Sequence, residues 1–268
     1  MSTAARERRG PANLLGGRPA RSAGALFLRY WTVLLLVLAW GVWVEAFHVN
    51  QIVAPSPGAV FGDLAGHPGV YATALAETML MAVGGLVLGM TAGVLVAAGV
   101  WASKVLSGLM TPLVLVVRSV PVVALLPVIL SVVGSGTPAM LTVTSLITFF
   151  PAFAFTSSGL RSAPTVSADL FTVLHASKLT RLRLLLLPQA LQGLLVALRL
   201  TAPGAVLVAM LAEYLMGSGG GLGQLFFDSV SFSEVVRAWG TSVVATAVSV
   251  VTFVAARAVE RWGTERLT

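Results

Sequence analysis

Apolar residues come in long unbroken runs along this chain, and charged residues collect between and beyond those runs. The first run extends from about Leu26 to Phe47. Between Glu77 and Lys104 lie 26 uncharged residues. A helix needs about 20 apolar residues to cross the hydrocarbon of a bilayer, so this run predicts one span with room to tilt. From Ser119 to Leu160 there are 42 residues without a charge, which predicts two spans. Their break is GSGTP, Gly134–Pro138, a Gly/Pro turn near the middle. A fifth run goes from about Gln189 to Met216 and a sixth from Ala238 to Ala256. The Pro-rich IVAPSPGAV (Ile52–Val60), followed by Asp63, Gly66 and Pro68, predicts a loop over residues 48–70. GSGGGLG (Gly217–Gly223) predicts a second, flexible loop. Gly85, Gly89 and Gly93 recur every four residues in the second run, and small residues at that spacing let another helix approach closely.

Composition turns these runs into a class. The chain of 268 residues is 57% apolar and only 10% charged, where a soluble domain carries about 25% charged residues. The expected fold is all-α, a polytopic membrane bundle of six transmembrane helices. Residues 1–25 read as a disordered basic tail, 26–260 as the transmembrane domain with a charged loop over 161–188, and 261–268 as a second tail. A cleaved signal peptide is the rival reading of the first run, but the run is long for a signal core and no small-x-small site follows it. Six spans put both termini on one side. That side collects 14 of the 17 basic residues, while Asp63, Asp228 and Glu234 fall on the other. The positive-inside rule then makes both termini and the 161–188 loop cytoplasmic, in a multi-pass protein of the inner or plasma membrane. The net charge of +7 does not point to nucleic acid, because the basic residues flank the spans and the chemistry they match is membrane lipid.

Candidate chemistry is sparse. There is no cysteine, and three isolated histidines make no metal-ligand spacing. Neither HExxH nor GxSxG occurs. Lys104 and Lys178 are the only lysines and each follows a serine, so no phosphate-binding loop exists to make this chain its own ATPase. Energy must come from a partner or an ion gradient. Ionisable residues within spans are functional candidates. Arg199 lies 11 residues past Pro188, which is about 16 Å of helix and near mid-bilayer. Arg118 precedes Pro121 and Pro127 at comparable depth, and Glu213 follows Arg199 by four turns less about 40°. Two readings stand: Arg118, Pro121, Arg199 and Glu213 form a polar path or gate for an anionic or zwitterionic solute, or the charges form a salt bridge between helices, such as Arg118 with Glu213.

The stretch that cannot sit in a bilayer is DLFTVLHASKLTRLRLLLLP, Asp169–Pro188. Asp169 is followed six residues later by His175, and then by Leu185, Leu187 and Pro188. This spacing resembles the EAA loop of binding-protein-dependent ABC importer permeases, E-A-A-x3-G-x9-I-x-L-P. The flanks resemble the aliphatic-sulfonate/taurine/nitrate-type branch: APSP (Ala54–Pro57), RSVPVVALLPVI (Arg118–Ile129), FFPAF (Phe149–Phe153), LHASKLTRLRLLLLPQAL (Leu174–Leu191), LRL (Leu198–Leu200), AEYL (Ala212–Leu215) and GLG (Gly221–Gly223). The likeness covers roughly residues 50–260.

The resemblance implies a type I importer permease whose loop folds as two short helices, one of them seated in a groove of a cytoplasmic ATPase. Asp169, Leu174, His175, Ala176, Ser177, Lys178, Leu187 and Pro188 are the implied coupling residues. The implied partners are a pair of ATPase subunits, a second permease copy or paralogue, and an extracytoplasmic solute-binding protein. ATP and magnesium would sit on the ATPase subunits, with no cofactor on this chain. Lys178, Arg181 and Arg183 would face the ATPase or lipid head groups. The chain departs from the pattern: Asp169 stands at the acidic position, Leu170 and Phe171 replace two alanines, and His175 replaces a glycine suited to a tight turn. An adapted groove in a homodimer or one half of a heterodimer accommodates that. The expected function is a path for a small polar solute, sulfonate-, taurine- or nitrate-like or a vitamin precursor. The alternatives are an ion-coupled secondary transporter, against which no inverted repeat is visible, and a membrane enzyme or scaffold.

Overall fold

The structure, a computed structural model, describes residues 23–119, 122–162, 165–217 and 219–267. Every regular element among them is helical. The chain runs α1 (Ala23–Ala46), α2 (Pro57–Gly66), α3 (Pro68–Ala102), α4 (Lys104–Ser119), α5 (Val122–Val133), α6 (Thr137–Arg161), α7 (Thr165–Val173), α8 (Lys178–Arg181), a π-helical turn (Leu182–Leu186), α9 (Leu187–Met216), α10 (Leu222–Ser231) and α11 (Val235–Leu267). Among the described residues four helices are long and apolar enough to cross a membrane: Pro68–Ala102, Thr137–Arg161, Lys178–Met216 and Val235–Arg266. The shorter apolar stretches Trp31–Ala46 and Ala124–Val133 join them. The expected all-α membrane bundle is the fold.

The glycine stripe of α3 decides its packing. A Cβ on Gly85 would run into the Thr144 side chain, and one on Gly89 into Thr148 and the Ser145 carbonyl. One on Gly93 would lie 2.7 Å from the Phe149 carbonyl oxygen. Without those carbons α3 and α6 touch backbone to backbone, and Thr148 Oγ1 donates to the Gly85 carbonyl at 3.1 Å. The paired positions rise together along both helices, so α3 and α6 run parallel. The segment between them, α4 and α5, must therefore recross the bundle. On the other flank of α6, Gly159 faces Ala190 and Gly193 faces Phe155, which makes α9 antiparallel to α6. Gly263 against Leu195, with Arg199 one turn on facing Glu260 one turn back, sets α11 antiparallel to α9.

Four boundaries differ from the sequence expectation. Residues 48–70 are not all loop, because APSPG begins α2: Ser56 Oγ accepts from Ala59 N at 3.3 Å and Pro57 takes the first turn. The second span starts at Pro68 and includes Glu77. Lys104–Ser119 is helical, with α5 too short by itself to span, at about 18 Å. The fifth span starts at Lys178, so the second half of the expected 161–188 loop is continuous with α9.

Candidate coupling loop and intramembrane charges

One end of the bundle carries the C-termini of α3, α6 and α11 and the start of α9, and there α7 and α8 form a helical hairpin. α7 ends in a Schellman arrangement. Ala176 N donates to the Phe171 carbonyl at 3.0 Å and His175 N to the Thr172 carbonyl at 3.1 Å. This bonding needs a left-handed residue at His175, whose φ is +51°. Glycine would adopt it freely, whereas another L-residue is disfavoured there by about 1–2 kcal/mol. The His175 ring nitrogen Nδ1 lies 3.0 Å from the Val173 carbonyl and offsets part of that cost. Ser177 then starts α8, its Oγ accepting from Thr180 N at 3.1 Å.

The hairpin presents an apolar surface. Leu170, Val173, Leu174 and Leu179 are all exposed by more than half. Asp169, His175, Ser177 and Lys178 are exposed beside them, and Ala176 is half-buried. Leu187 is exposed and Pro188 half-buried where the hairpin joins α9. The eight expected coupling residues therefore fall on one continuous feature.

Of the four expected path residues, the two whose side chains are described, Arg199 and Glu213, do not converge. Arg118 belongs to the last turn of α4, with its side chain outside the described residues, and Pro121 lies outside them altogether. Arg199 pairs with Glu260 of α11, Nη1 to Oε2 at 3.1 Å. A salt bridge between helices is therefore present at Arg199, with a partner the sequence reading did not single out. Glu213 lies at the far end of the same helix and is 1% exposed. Its Oε2 accepts from Thr78 Oγ1 at 2.7 Å and from Gly223 N at 2.9 Å. Thr78 Oγ1 in turn accepts from Leu222 N at 2.8 Å. These are the first two N–H groups of α10, whose N-cap Gly221 has no side chain to offer them. Glu213 and Thr78 thus do the capping that a serine or aspartate ordinarily does.

This corrects the expectation of a flexible GSGGGLG loop. A Cβ on Gly220 would overlap the Glu77 carboxylate, one on Gly221 the Glu213 carboxylate, and one on Gly223 the Met210 carbonyl. Gly220, Gly221 and Gly223 are there for close approach, Gly217 and Gly219 for their positive φ, and the loop is pressed onto two carboxylates.

At the same end Asp63 of α2 joins three elements. Tyr71 Oη of α3 donates to its Oδ2 at 2.5 Å, Arg237 Nη2 of α11 reaches its Oδ1 at 3.4 Å, and His67 Nδ1 lies 3.0 Å from Oδ1. Arg237 also binds Glu234 at 2.6 Å. Burial works against ionisation of Asp63, but the Tyr71 hydrogen bond and the Arg237 guanidinium outweigh it and hold the carboxyl below its ordinary value. Sequence reasoning placed Asp63 on that side without giving it a partner. Its 174-residue separation from Arg237 carries no local signal. Among the described residues no group of three or more His, Asp or Glu could hold a metal ion.

Comparison with known proteins bears on this arrangement. Residues 85–264 match the family described as binding-protein-dependent transport system inner membrane component. A probable ABC transporter permease protein of Haemophilus influenzae is 28% identical over 201 residues, 75% of this chain and 82% of that protein. The formylaminopyrimidine transport permease ThiX of Halalkalibacterium halodurans is 29% identical over 192 residues, 71% of this chain and 76% of that one. The putative aliphatic sulfonates transport permease SsuC of Bacillus subtilis is 26% identical over 237 residues, 85% and 83% of the two chains. In fold, a chain of the inward-facing MetNI methionine ABC transporter superposes with a TM-score of 0.64 at 20% identity, covering 74% of this chain and 97% of that one. A chain of an amino acid ABC transporter crystallised with histidines gives 0.60 at 15% identity, covering 77% and 98%.

Proposed function

The chain belongs to the binding-protein-dependent transport system inner membrane components, and from that premise we propose that its α7–α8 hairpin is the part on which a separate ATPase subunit acts. The chain is a multi-pass membrane protein and a permease component of an ABC importer. The observation that carries the proposal is the hairpin itself: two short helices joined by a left-handed His175, with an exposed apolar tip at the basic end of the bundle. Lys104, Arg161, the hairpin's cations and the last arginines of α11 gather at that end, while Asp63, Asp228 and Glu234 gather at the other. The positive-inside rule supports a cytoplasmic hairpin and cytoplasmic termini. Leu170, Leu174 and Leu179 fit a groove on the ATPase subunits, which would bind ATP and magnesium in place of this chain. A second permease completes the path, and an extracytoplasmic binding protein delivers the solute.

The relatives named for a formylaminopyrimidine and for aliphatic sulfonates support a small polar organic solute. Arg199 takes a structural part in this reading, held by Glu260. Glu213 holds the far mouth of the path in shape.

Co-purification with candidate ATPase subunits tests the proposal. The wild-type chain captures one of them, and Leu174→Asp or Asp169→Arg weakens capture by roughly tenfold, about 1.4 kcal/mol. Capture indifferent to both changes, together with uptake that survives ATP depletion and collapses with the ion gradient, would hand the case to a secondary transporter.

A further inference from the structure

The join between the hairpin and α9 is built unlike the rest of the bundle. Over Leu182–Leu186 the backbone is π-helical, and Leu187 N donates to the Leu182 carbonyl five residues back. Pro188 explains the widening, since it has no N–H and its ring crowds the carbonyl four residues earlier. Such a turn is an α-helix holding one residue too many, and it interrupts the regular ladder locally. What lies on its two sides differs. From Ala190 onward α9 is fixed, because Gly159 and Gly193 bring the α6 and α9 backbones into contact. On the other side is the exposed hairpin. Within the turn Leu185 and Leu186 are buried against Ala97, Val100, Phe153 and Leu160, while Leu184 stays 68% exposed.

Beside the turn lies an apolar cavity of about 110 Å³, lined by Val94 and Ala98 of α3, Thr156 of α6, and Leu182 and Leu187 at the two ends of the π-turn. Thr156 is 3% exposed and its hydroxyl has no hydrogen-bond partner. The same is true of Arg181 Nε and Gln189 Oε1, the residues that bracket the turn. Protein interiors seldom leave buried polar groups unpaired or voids beside large aliphatic side chains. A widened turn, a partly open apolar pocket beside it and three unpaired polar atoms at one joint indicate a second arrangement of that joint.

We propose that Leu182–Leu186 is a one-residue slip joint, π-helical in this state and rewound to α-helix when the hairpin is pushed, with the adjacent cavity receiving the displaced side chain. One residue of α-helix is about 1.5 Å of rise and about 100° of rotation. Rewinding turns the hairpin about the α9 axis by that order while α9 stays seated on α6. The joint thus has two discrete states in place of a continuous bend. The proposal rests on the reading of the hairpin as the ATPase contact, because that contact supplies the push.

The chain has no cysteine, so two introduced ones are the only labelling sites. Spin labels at Thr172→Cys on the hairpin, outside the residues assigned to the ATPase contact, and Leu200→Cys on α9, both exposed positions, report the joint directly. The distance is read by electron–electron resonance in lipid nanodiscs holding the permease with its ATPase. The nucleotide-free state is compared with the state trapped by ATP and vanadate. The expected result is a shift of several ångströms on trapping. It is abolished by Ala98→Leu, which fills the cavity, and by Pro188→Ala, which removes the cause of the wide turn. An unchanged distance in a complex that binds ATPase and traps nucleotide overturns the slip joint and leaves the coupling role intact. So does a shift that persists at full size in both variants. Failure to capture any ATPase defeats the coupling role itself, and the slip joint with it.

Discussion

Single residues carry unusual loads at the end of the bundle opposite the hairpin. Glu213 is buried, yet its carboxylate meets N–H and O–H donors from two other elements. Glu213→Ala leaves Thr78 and Gly223 N without an acceptor, at a cost of about 1–3 kcal/mol for each group. Glu213→Gln keeps one acceptor oxygen and is milder. Thermal unfolding in detergent ranks wild type, Gln and Ala in that order, and hydrogen exchange at Leu222 and Gly223 accelerates in the Ala variant. Asp63 offers a pH signature. Its carboxyl ionises more readily folded than unfolded, where the value is about 3.9, so its contribution is complete above that pH and is lost as pH falls through the folded value. Asp63→Asn lowers stability by about 1–2 kcal/mol at neutral pH. The difference from wild type holds down to about pH 4 and fades below it, which melting curves across pH will show.

Elements here are defined as much by what they approach as by their own propensities. The α3 glycines have no helix-forming merit, and each costs about 1 kcal/mol relative to alanine in a helix interior. Their return is contact between two backbones, which in lipid replaces the hydrophobic driving force available in water. Gly89→Val drives a branched side chain into Thr148 and the Ser145 carbonyl. The expected outcome is loss of monodisperse protein after extraction, read by size-exclusion chromatography. Gly58→Val, where no atom lies within 4 Å of the added carbon, leaves the profile unchanged. The elements that hydropathy missed share one cause. The helix at Pro57 and the extension of the fifth span back to Lys178 both contain proline next to polar residues. A hydropathy reading takes such stretches as breaks, whereas local capping and a π-turn make them helical.

The whole molecule is polarised along its length. Most basic groups collect at the hairpin end, Asp63, Asp228 and Glu234 lie at the other, and α3 and α6 run parallel while the chain between them crosses back. With no native cysteine, Ser177→Cys on the hairpin and Ser233→Cys between α10 and α11 can each be labelled alone. In intact cells a membrane-impermeant maleimide reaches Ser233→Cys only, and in inverted vesicles Ser177→Cys only. Labelling of both from the same side contradicts the orientation.

The sequence determined the class, the helical architecture and the place of the hairpin, because those follow from uncharged run length, charge placement and motif spacing, all local along the chain. It also foretold that the α3 glycines meet another helix, though not that the helix is α6. Only the tertiary structure decided which charges pair. Arg199 chose Glu260, Glu213 became a cap for α10, and Asp63 found Arg237, because each choice depends on distances between residues far apart in the chain. Pro188 shows the division most plainly. Its missing N–H is written in the sequence, but whether that ends a helix, kinks it or widens one turn beside a cavity depends on what α3 and α6 leave room for.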